Sequence, residues 1–182
     1  MPSEFAQCLA ALQEGEVIAY ATEAVYGLGC DPDNQSAVQQ LLALKRRPIA
    51  KGVIVVAGEL QQLRRWVDVD AIATAYPHVL QSWPGPYTWL LPCKPATPQY
   101  LTGQYNTLAV RVSAHPGIQQ LCSAFGRGIV STSANPSGEE PARSAEQAQA
   151  YFPTLKVLQG QIDNVAQPSM IRDAQTQAVI RS

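Results

Sequence analysis

An α/β fold, a single domain over residues 1–182 built around a mixed β-sheet, is predicted by three features of the sequence. Short apolar, β-branched runs such as Val53-Ile54-Val55-Val56 and Leu108-Ala109-Val110-Arg111-Val112 have the length and composition of buried strands, and stretches with apolar residues at helical spacing lie between them. At 182 residues and 46% apolar content the chain is large enough to bury one substantial core. No repeat, linker or low-complexity tract divides it.

Ser3 is placed to cap a first helix over residues 4–14, with Phe5, Leu9 and Leu12 at helical spacing and Gly15 as its stop. Residues 17–20 read as a short strand, after which the chain enters a loop from Thr22 to Gly29 whose glycines permit close backbone approach. A helix from about Ser36 puts Val38, Leu41, Leu42 and Leu44 on one buried side before Pro48 blocks its continuation. Residues 53–56, apolar on both faces, predict a central strand covered on two sides. Helical stretches follow over 61–66 and 71–83, the second interrupted by Pro77. Trp83-Pro84-Gly85-Pro86-Tyr87-Thr88 then makes a rigid turn into the strand Trp89-Leu90-Leu91. A strand at 108–112, a helix over 116–125 and the apolar run Gly128-Ile129-Val130 come next. Ser144 with Gln147 forms a capping box for a helix to about Phe152, and short strands at 156–158, 170–172 and 178–181 complete the pattern.

Several function classes are disfavoured by composition. The formal net charge of −1 supplies no overall field to attract nucleic acid. Cys8, Cys30, Cys93 and Cys122 contain no C-x-x-C pair and only His78 and His115 could join them, so small buried thiols in a reducing compartment are expected and no metal site. The N-terminus lacks the basic-then-apolar pattern of a secretion signal, and no apolar stretch is long enough to span a bilayer; a cytoplasmic location without membrane contact is the expectation. The chain has no G-x-x-x-x-G-K-[ST], and Gly27-Leu28-Gly29 runs into Asp31-Pro32 instead of a helix, so neither common phosphate loop is present. Neither paired carboxylates nor a Ser–His or Cys–His pattern marks a side-chain nucleophile.

What remains is a set of cations and hydroxyls at strand ends. Lys45, Arg47 and Lys51 cluster where a helix ends and a buried strand begins; Lys45 alone could simply complement the helix dipole, but Arg47 and Lys51 lie beyond it, where charge suits a ligand phosphate. Arg111, between Val110 and Val112, needs either an internal acidic partner or a substrate carboxylate, which a guanidinium matches as a fork. Ser131-Thr132-Ser133-Ala134-Asn135-Pro136-Ser137-Gly138 delivers hydroxyls and an amide at the end of an apolar strand, the position from which side chains reach into a crevice.

The ordered set Thr22-Glu23-x-x-Tyr26-Gly27-Leu28-Gly29, Lys45-x-Arg47-Pro48, Pro84-Gly85-Pro86-x-Thr88, Val110-Arg111-Val112, Ser131-x-Ser133-Ala134-Asn135-x-Ser137-Gly138 and Pro168-Ser169-x-Ile171-x-Asp173 resembles the YrdC/TsaC family of threonylcarbamoyl-AMP synthases. The resemblance implies an open, twisted YrdC-like sheet with a concave active-site face. It implies a nucleotidyltransferase that condenses L-threonine, bicarbonate or CO2, and ATP into threonylcarbamoyl-adenylate with release of pyrophosphate. A downstream transferase complex would then modify the adenosine beside the anticodon of tRNAs reading ANN codons. On the same ground, Thr22, Tyr26, Arg111, Ser131 and Ser169 fall where the family handles threonine. Arg47, Lys51, Ser133 and Asn135 fall where it handles ATP, with Thr107, Arg143 and Arg181 as further carry-overs. Lys45 and Arg47 are the implied catalytic cations, and Mg2+ is implied with the triphosphate.

Two departures from the family pattern stand out: Ala21 where many relatives have proline, and Gly52-Val53 after Lys51 where many have Pro-Leu. Two other readings compete. A double-stranded RNA-binding or ribosome-maturation factor would use the same basic face, although the chain lacks a stacking motif and a basic excess, which limits any tRNA or RNA contact to a weak one. A carbamoyl-transfer enzyme of hydrogenase maturation would carry acylphosphatase-like and zinc-finger parts that this sequence lacks.

Overall fold

The computed structural model describes residues 2–163 and 169–181, so Pro168 of the last motif lies outside the described residues. Helix α1 (Glu4–Gln13) begins at Ser3, whose hydroxyl accepts the Ala6 N–H at 3.2 Å, and stops before Gly15 in a left-handed turn at φ 79°. Strands β1 (Ile18–Ala21) and β2 (Tyr26–Gly29) pair antiparallel, and α2 (Gln35–Lys45) follows with Asn34 as its cap. After a 3-10 turn at Ile49–Lys51 come β3 (Ile54–Ala57), a second 3-10 turn at Leu60–Leu63, α3 (Val69–Ala75), α4 (Pro77–Ser82) and β4 (Tyr87–Pro92). The chain continues through α5 (Gln99–Thr102), β5 (Thr107–Val112), α6 (Pro116–Phe125), β6 (Ile129–Ser133), α7 (Ala145–Tyr151), β7 (Lys156–Leu158), β8 (Met170–Asp173) and β9 (Val179–Arg181).

The strands form one mixed sheet in the order β7-β1-β2-β6-β3-β5-β4-β8-β9. β3 sits between β5 and β6 and is buried along most of its length, as its two-sided apolar character predicts. β6 changes neighbours along its length. Its first part, Ile129 to Ser131, pairs with β3, and its last part, Thr132 and Ser133, pairs with β2. The sheet therefore opens at the end of β6. One core cluster lies under α1 and α6, joining Leu12, Ile18, Tyr20, Ile118, Leu121 and Ile129, and a larger one fills the other face.

Four sequence expectations change. The stretch from Thr22 to Gly29 is not all loop: Tyr26 to Gly29 is a strand, and its glycines accommodate the ring of Tyr20 across the ladder. A Cβ on Gly29 would lie 2.7 Å from the Tyr20 ring and 2.8 Å from the Val130 carbonyl oxygen, so this strand needs glycine for packing. The helix expected over 71–83 is two helices broken at Pro77, which opens α4 at its first position, and the one expected over 61–66 is a short 3-10 turn. The capping box is half formed. Ser144 accepts the Gln147 N–H at 3.2 Å, but the Gln147 side chain takes the Arg143 N–H at 2.7 Å instead of closing onto Ser144. Helix α5 has no counterpart in the sequence reading.

The buried-thiol expectation fits Cys8, Cys30 and Cys122, whose burial pushes each thiol above its ordinary pKa, to about 11 for Cys8 and about 12 for Cys122. Cys93 is half-buried and donates to the Asn106 carbonyl. No helix among the described residues is long and apolar enough to cross a membrane.

Candidate functional site

Strand alternation assembles the site. The registers place Gly27 opposite Ser133, Ile54 opposite Ser131, and Val56 opposite Arg111, so Ser131, Ser133 and Arg111 project from one face of the sheet. That face is covered by α1 and α6 at one end and bare at the other, where a cleft of about 240 Å³ opens. Among the described residues five cations line it, Lys45, Arg47, Lys51, Arg111 and Arg181, against one carboxylate, Glu23. A chain of net charge −1 has thus concentrated positive charge at a single concave spot.

Helix α2 aims two of these cations. Arg46 adopts the left-handed conformation at φ 51°, the Arg46 N–H reaches back to the Ala43 carbonyl at 3.0 Å, and the Arg47 N–H reaches the Leu42 carbonyl at 2.9 Å. This paired closure turns the chain sharply at the helix end, leaving Lys45 on the last turn and throwing Arg47 over the cleft. The Arg47 guanidinium is steadied by the Gly52 carbonyl at 3.1 Å from Nη2 and 3.3 Å from Nε. Gly52 has φ 64°, which proline cannot adopt, so the departure after Lys51 gives this loop its own path.

Lys45 does not simply complement its helix dipole. Its buried ammonium donates to the Ser133 carbonyl at 2.5 Å, the Asn135 carbonyl at 2.9 Å and Asn135 Oδ1 at 3.3 Å. The Asn135 amide donates to the Glu139 carbonyl at 2.7 Å, so both ends of that side chain are held. Lys45 therefore fixes the strand end that carries the Ser133 hydroxyl. Burial first, and the nearby Arg47 charge second, lower its pKa to about 8. Partial burial and then Arg47 likewise lower the Arg181 guanidinium from its ordinary value. Like charges crowded at one cleft favour an anion between them.

On the other side, Arg111 is ion-paired to Glu23 at 2.7 Å, with both side chains buried. The internal partner that its apolar strand demands is therefore present, and the pair still borders the cleft. Burial pushes the Glu23 carboxyl up, but the Arg111 charge and the hydrogen bonds from Ser113 and Arg111 outweigh it and hold the group below the usual carboxylate range. Ser131 accepts a hydrogen bond from the Tyr20 hydroxyl at 2.7 Å, and Thr22 closes its own turn by donating to the Val25 carbonyl at 2.6 Å. Ser169 bonds Thr88 at 2.9 Å, and Arg181 reaches the Ser169 carbonyl at 3.2 Å.

Ten sequence-predicted residues come together here: Thr22, Lys45, Arg47, Lys51, Arg111, Ser131, Ser133, Asn135, Ser169 and Arg181. Thr107 lines an adjoining, more apolar lobe of about 330 Å³ with Val53, Leu101, Tyr105, Ala109 and Ile171. Two carry-overs, Tyr26 and Arg143, do not line this cleft. Tyr26 alternates with Gly27 on β2 and so points to the opposite face, where its hydroxyl donates to the Gly160 carbonyl at 2.9 Å. Arg143 borders a separate groove with Tyr26 and Gly160, outside the cleft. Glu23 was not singled out from sequence, although the acidic partner that Arg111 requires was the signal for it.

Comparison with known proteins fits this geometry. The sequence model of the Sua5/YciO/YrdC family, described as "Telomere recombination", matches residues 10–182. A protein of Yersinia enterocolitica named threonylcarbamoyl-AMP synthase is 53% identical over 170 residues, covering 92% of this chain and 90% of the relative. A protein of the same name from Xanthomonas axonopodis pv. citri is 52% identical over 178 residues, covering 96% and 95%. Among solved structures, P. abyssi Sua5 complexed with L-threonine superposes with a TM-score of 0.82 at 28% identity; 95% of this chain spans about half, 52%, of that one. Full-length HypF in its phosphate- and nucleotide-bound form shares the fold at a TM-score of 0.76 and 19% identity, with 27% of that chain covered. A family match along nearly the whole sequence, and half-identity to relatives spanned almost from end to end, identify the chain as a member of the Sua5/YciO/YrdC family.

Proposed function

We propose that this protein is a threonylcarbamoyl-AMP synthase, condensing L-threonine, bicarbonate or CO2, and ATP with release of pyrophosphate. The observation that carries the reading is the division of one cleft into a cationic, hydroxyl-lined side at Lys45, Arg47, Lys51 and Ser133 and a charge-paired side at Arg111 and Glu23. The relatives named for this activity are about half identical over nearly the whole chain. A structure of P. abyssi Sua5 with L-threonine has the same fold.

The chemistry fits the residues. The threonine amine attacks CO2, loses a proton and becomes a carbamate, and a carbamate oxygen then attacks the α-phosphorus of ATP as pyrophosphate leaves. Two anions must meet in that second step. The cleft supplies aligned cations to neutralise them, and the reaction needs no enzyme nucleophile. Arg111, with Ser131 and Thr22, faces the amino acid; Arg47, Lys51 and Arg181 face the triphosphate, while Lys45 fixes Ser133 and Asn135 beside it. The apolar lobe at Val53, Leu101 and Ile171 suits the base of ATP. Among the described residues no group of three His, Cys, Asp or Glu could hold a metal, so magnesium would enter with the triphosphate, bound by phosphate oxygens and water. The product would pass to a tRNA-modifying transferase complex in the cytoplasm, where ATP and tRNA are found.

The RNA-binding alternative is not favoured. Its basic surface is a narrow cleft in a chain of net charge −1. The test is pyrophosphate release by pure protein supplied with ATP, bicarbonate and each amino acid in turn. Release dependent on both L-threonine and bicarbonate is expected, and equal release without threonine would overturn the reading.

A further inference from the structure

Behind Arg111 lies a buried polar chain that the reaction as written does not use. Arg111 Nη1 meets Glu23 Oε2 at 2.7 Å, the Ser113 hydroxyl donates to Glu23 Oε1 at 2.5 Å, and the same Ser113 oxygen accepts the His115 N–H at 3.0 Å. Ser113 is fully buried and directly follows the strand carrying Arg111; its own N–H is held by the Ala57 carbonyl at 2.9 Å. Glu23 is therefore clamped from a rigid sheet edge while its other oxygen holds the guanidinium.

Only one nitrogen of Arg111 is engaged in this way. Among the described residues the remaining guanidinium nitrogens make no hydrogen bond, and the side chain borders the cleft. A guanidinium has two forks, and using part of one to fix its plane leaves the other free for a second carboxylate. The pair also has almost no net charge, unlike the side of the cleft at Arg47 and Lys51. A zwitterionic amino acid complements a plus and a minus held side by side, whereas a triphosphate is repelled by the carboxylate.

We propose that Glu23, clamped by Ser113, is a positioning residue that orients Arg111 toward the amino acid carboxylate and keeps phosphate off that half of the cleft. This rests on the synthase reading and on Arg111 as the carboxylate fork. Loss of Glu23 leaves the guanidinium free to rotate and exposes its full charge, so phosphate gains a foothold where threonine binds.

Steady-state kinetics on Glu23→Gln, Ser113→Ala, Arg111→Ala and the Glu23→Gln/Arg111→Ala double variant tests it, with inorganic pyrophosphate as a competing anion. For Glu23→Gln the threonine KM should rise roughly tenfold, the loss of one charge-assisted contact, with the ATP KM within about twofold. Pyrophosphate inhibition should become competitive with threonine, a change of pattern that a general loss of stability would not produce. Ser113→Ala should shift the same quantities in the same direction by less, and it keeps the test open if Glu23→Gln does not fold. The double variant should match Arg111→Ala alone, because Glu23 acts through Arg111. Additive effects, equal rises in both KM values, or an unchanged threonine KM in Glu23→Gln would overturn the proposal. If Arg111→Ala itself leaves the threonine KM unchanged, the assignment of the subsite fails; if the unaltered protein needs no threonine, the synthase reading fails.

Discussion

Replacing Lys45 by methionine separates a stabilising contact from a positioning one. The Lys45 ammonium holds two carbonyls and the Asn135 amide oxygen, bonds that would each contribute about 1.5–3 kcal/mol if they were free of cost. They are not free. A pKa lowered from 10.5 to about 8 means that burial beside Arg47 works against the charged form by about 3 kcal/mol. Even at the lower end the three bonds together outweigh that cost, by roughly 1.5 kcal/mol, so Lys45→Met, which fills a similar volume without the charge, should lower the melting temperature by about 3–6 °C in a domain of this size. ATP affinity, by contrast, should fall by roughly ten- to a hundredfold as Ser133 and Asn135 lose their clamp, with threonine affinity little changed. Calorimetric titration with each substrate, beside a thermal melt, reads both. The pH dependence adds a sign test. In the free enzyme Lys45 loses its proton above about pH 8, so kcat/KM for ATP should decline there. Between about pH 8 and 10.5 the unfolded chain holds more protons than the folded one, so stability should rise over the same window, and Lys45→Met should lack that rise. A variant that melts far lower while its folded fraction binds ATP normally would refute the reasoning.

Three further outcomes are expected. Arg111→Ala should weaken threonine binding and also lower the melting temperature, because Glu23 is left as a buried unpaired carboxylate, whereas Arg47→Ala, losing only bonds to the Gly52 carbonyl, should weaken ATP with little change in melting; titrations and melts of the two variants compare them directly. Gly29→Ala should destabilise the protein by about 1–3 kcal/mol in denaturant unfolding, since its Cβ would lie 2.7 Å from the Tyr20 ring and 2.8 Å from the Val130 carbonyl. Binding to duplex RNA should be weak and fall steeply with salt in a titration from low to physiological ionic strength, given the net charge of −1.

The order of strands and helices was legible because apolar runs and caps are local signals. Val53 to Val56 and Leu108 to Val112 became β3 and β5, and Ser3 capped α1 through its own hydroxyl. Tyr26 to Gly29 reads as loop from sequence because two glycines in four residues argue against a strand, and the Tyr20 ring packed over them explains why they are there. Among site residues, those on strands with a clear alternation, Arg111, Ser131 and Ser133, fell on the cleft as expected. Tyr26 did not, because its side depends on where β2 begins, and a strand read as loop has no sides to assign. Glu23 is not legible locally because its contact is with Arg111, some ninety residues away in sequence, which no local pattern can show.

One strand brings the two halves of the site together. Ser131 and Ser133 lie two residues apart on β6, about 7 Å along one face, the first beside the β3 side of the sheet and the second at its junction with β2. Tyr20 holds Ser131 from below at 2.7 Å, and Lys45 holds the Ser133 carbonyl from the end of α2. Both hydroxyls border the cleft that Lys45, Arg47 and Arg111 line. A register shift of one residue in β6 would turn both hydroxyls to the opposite face. The pairing of β6 with β3 on one side and β2 on the other fixes that register twice, so the placement of the two hydroxyls on the cleft is protected by the same backbone hydrogen bonds that join the two parts of the sheet.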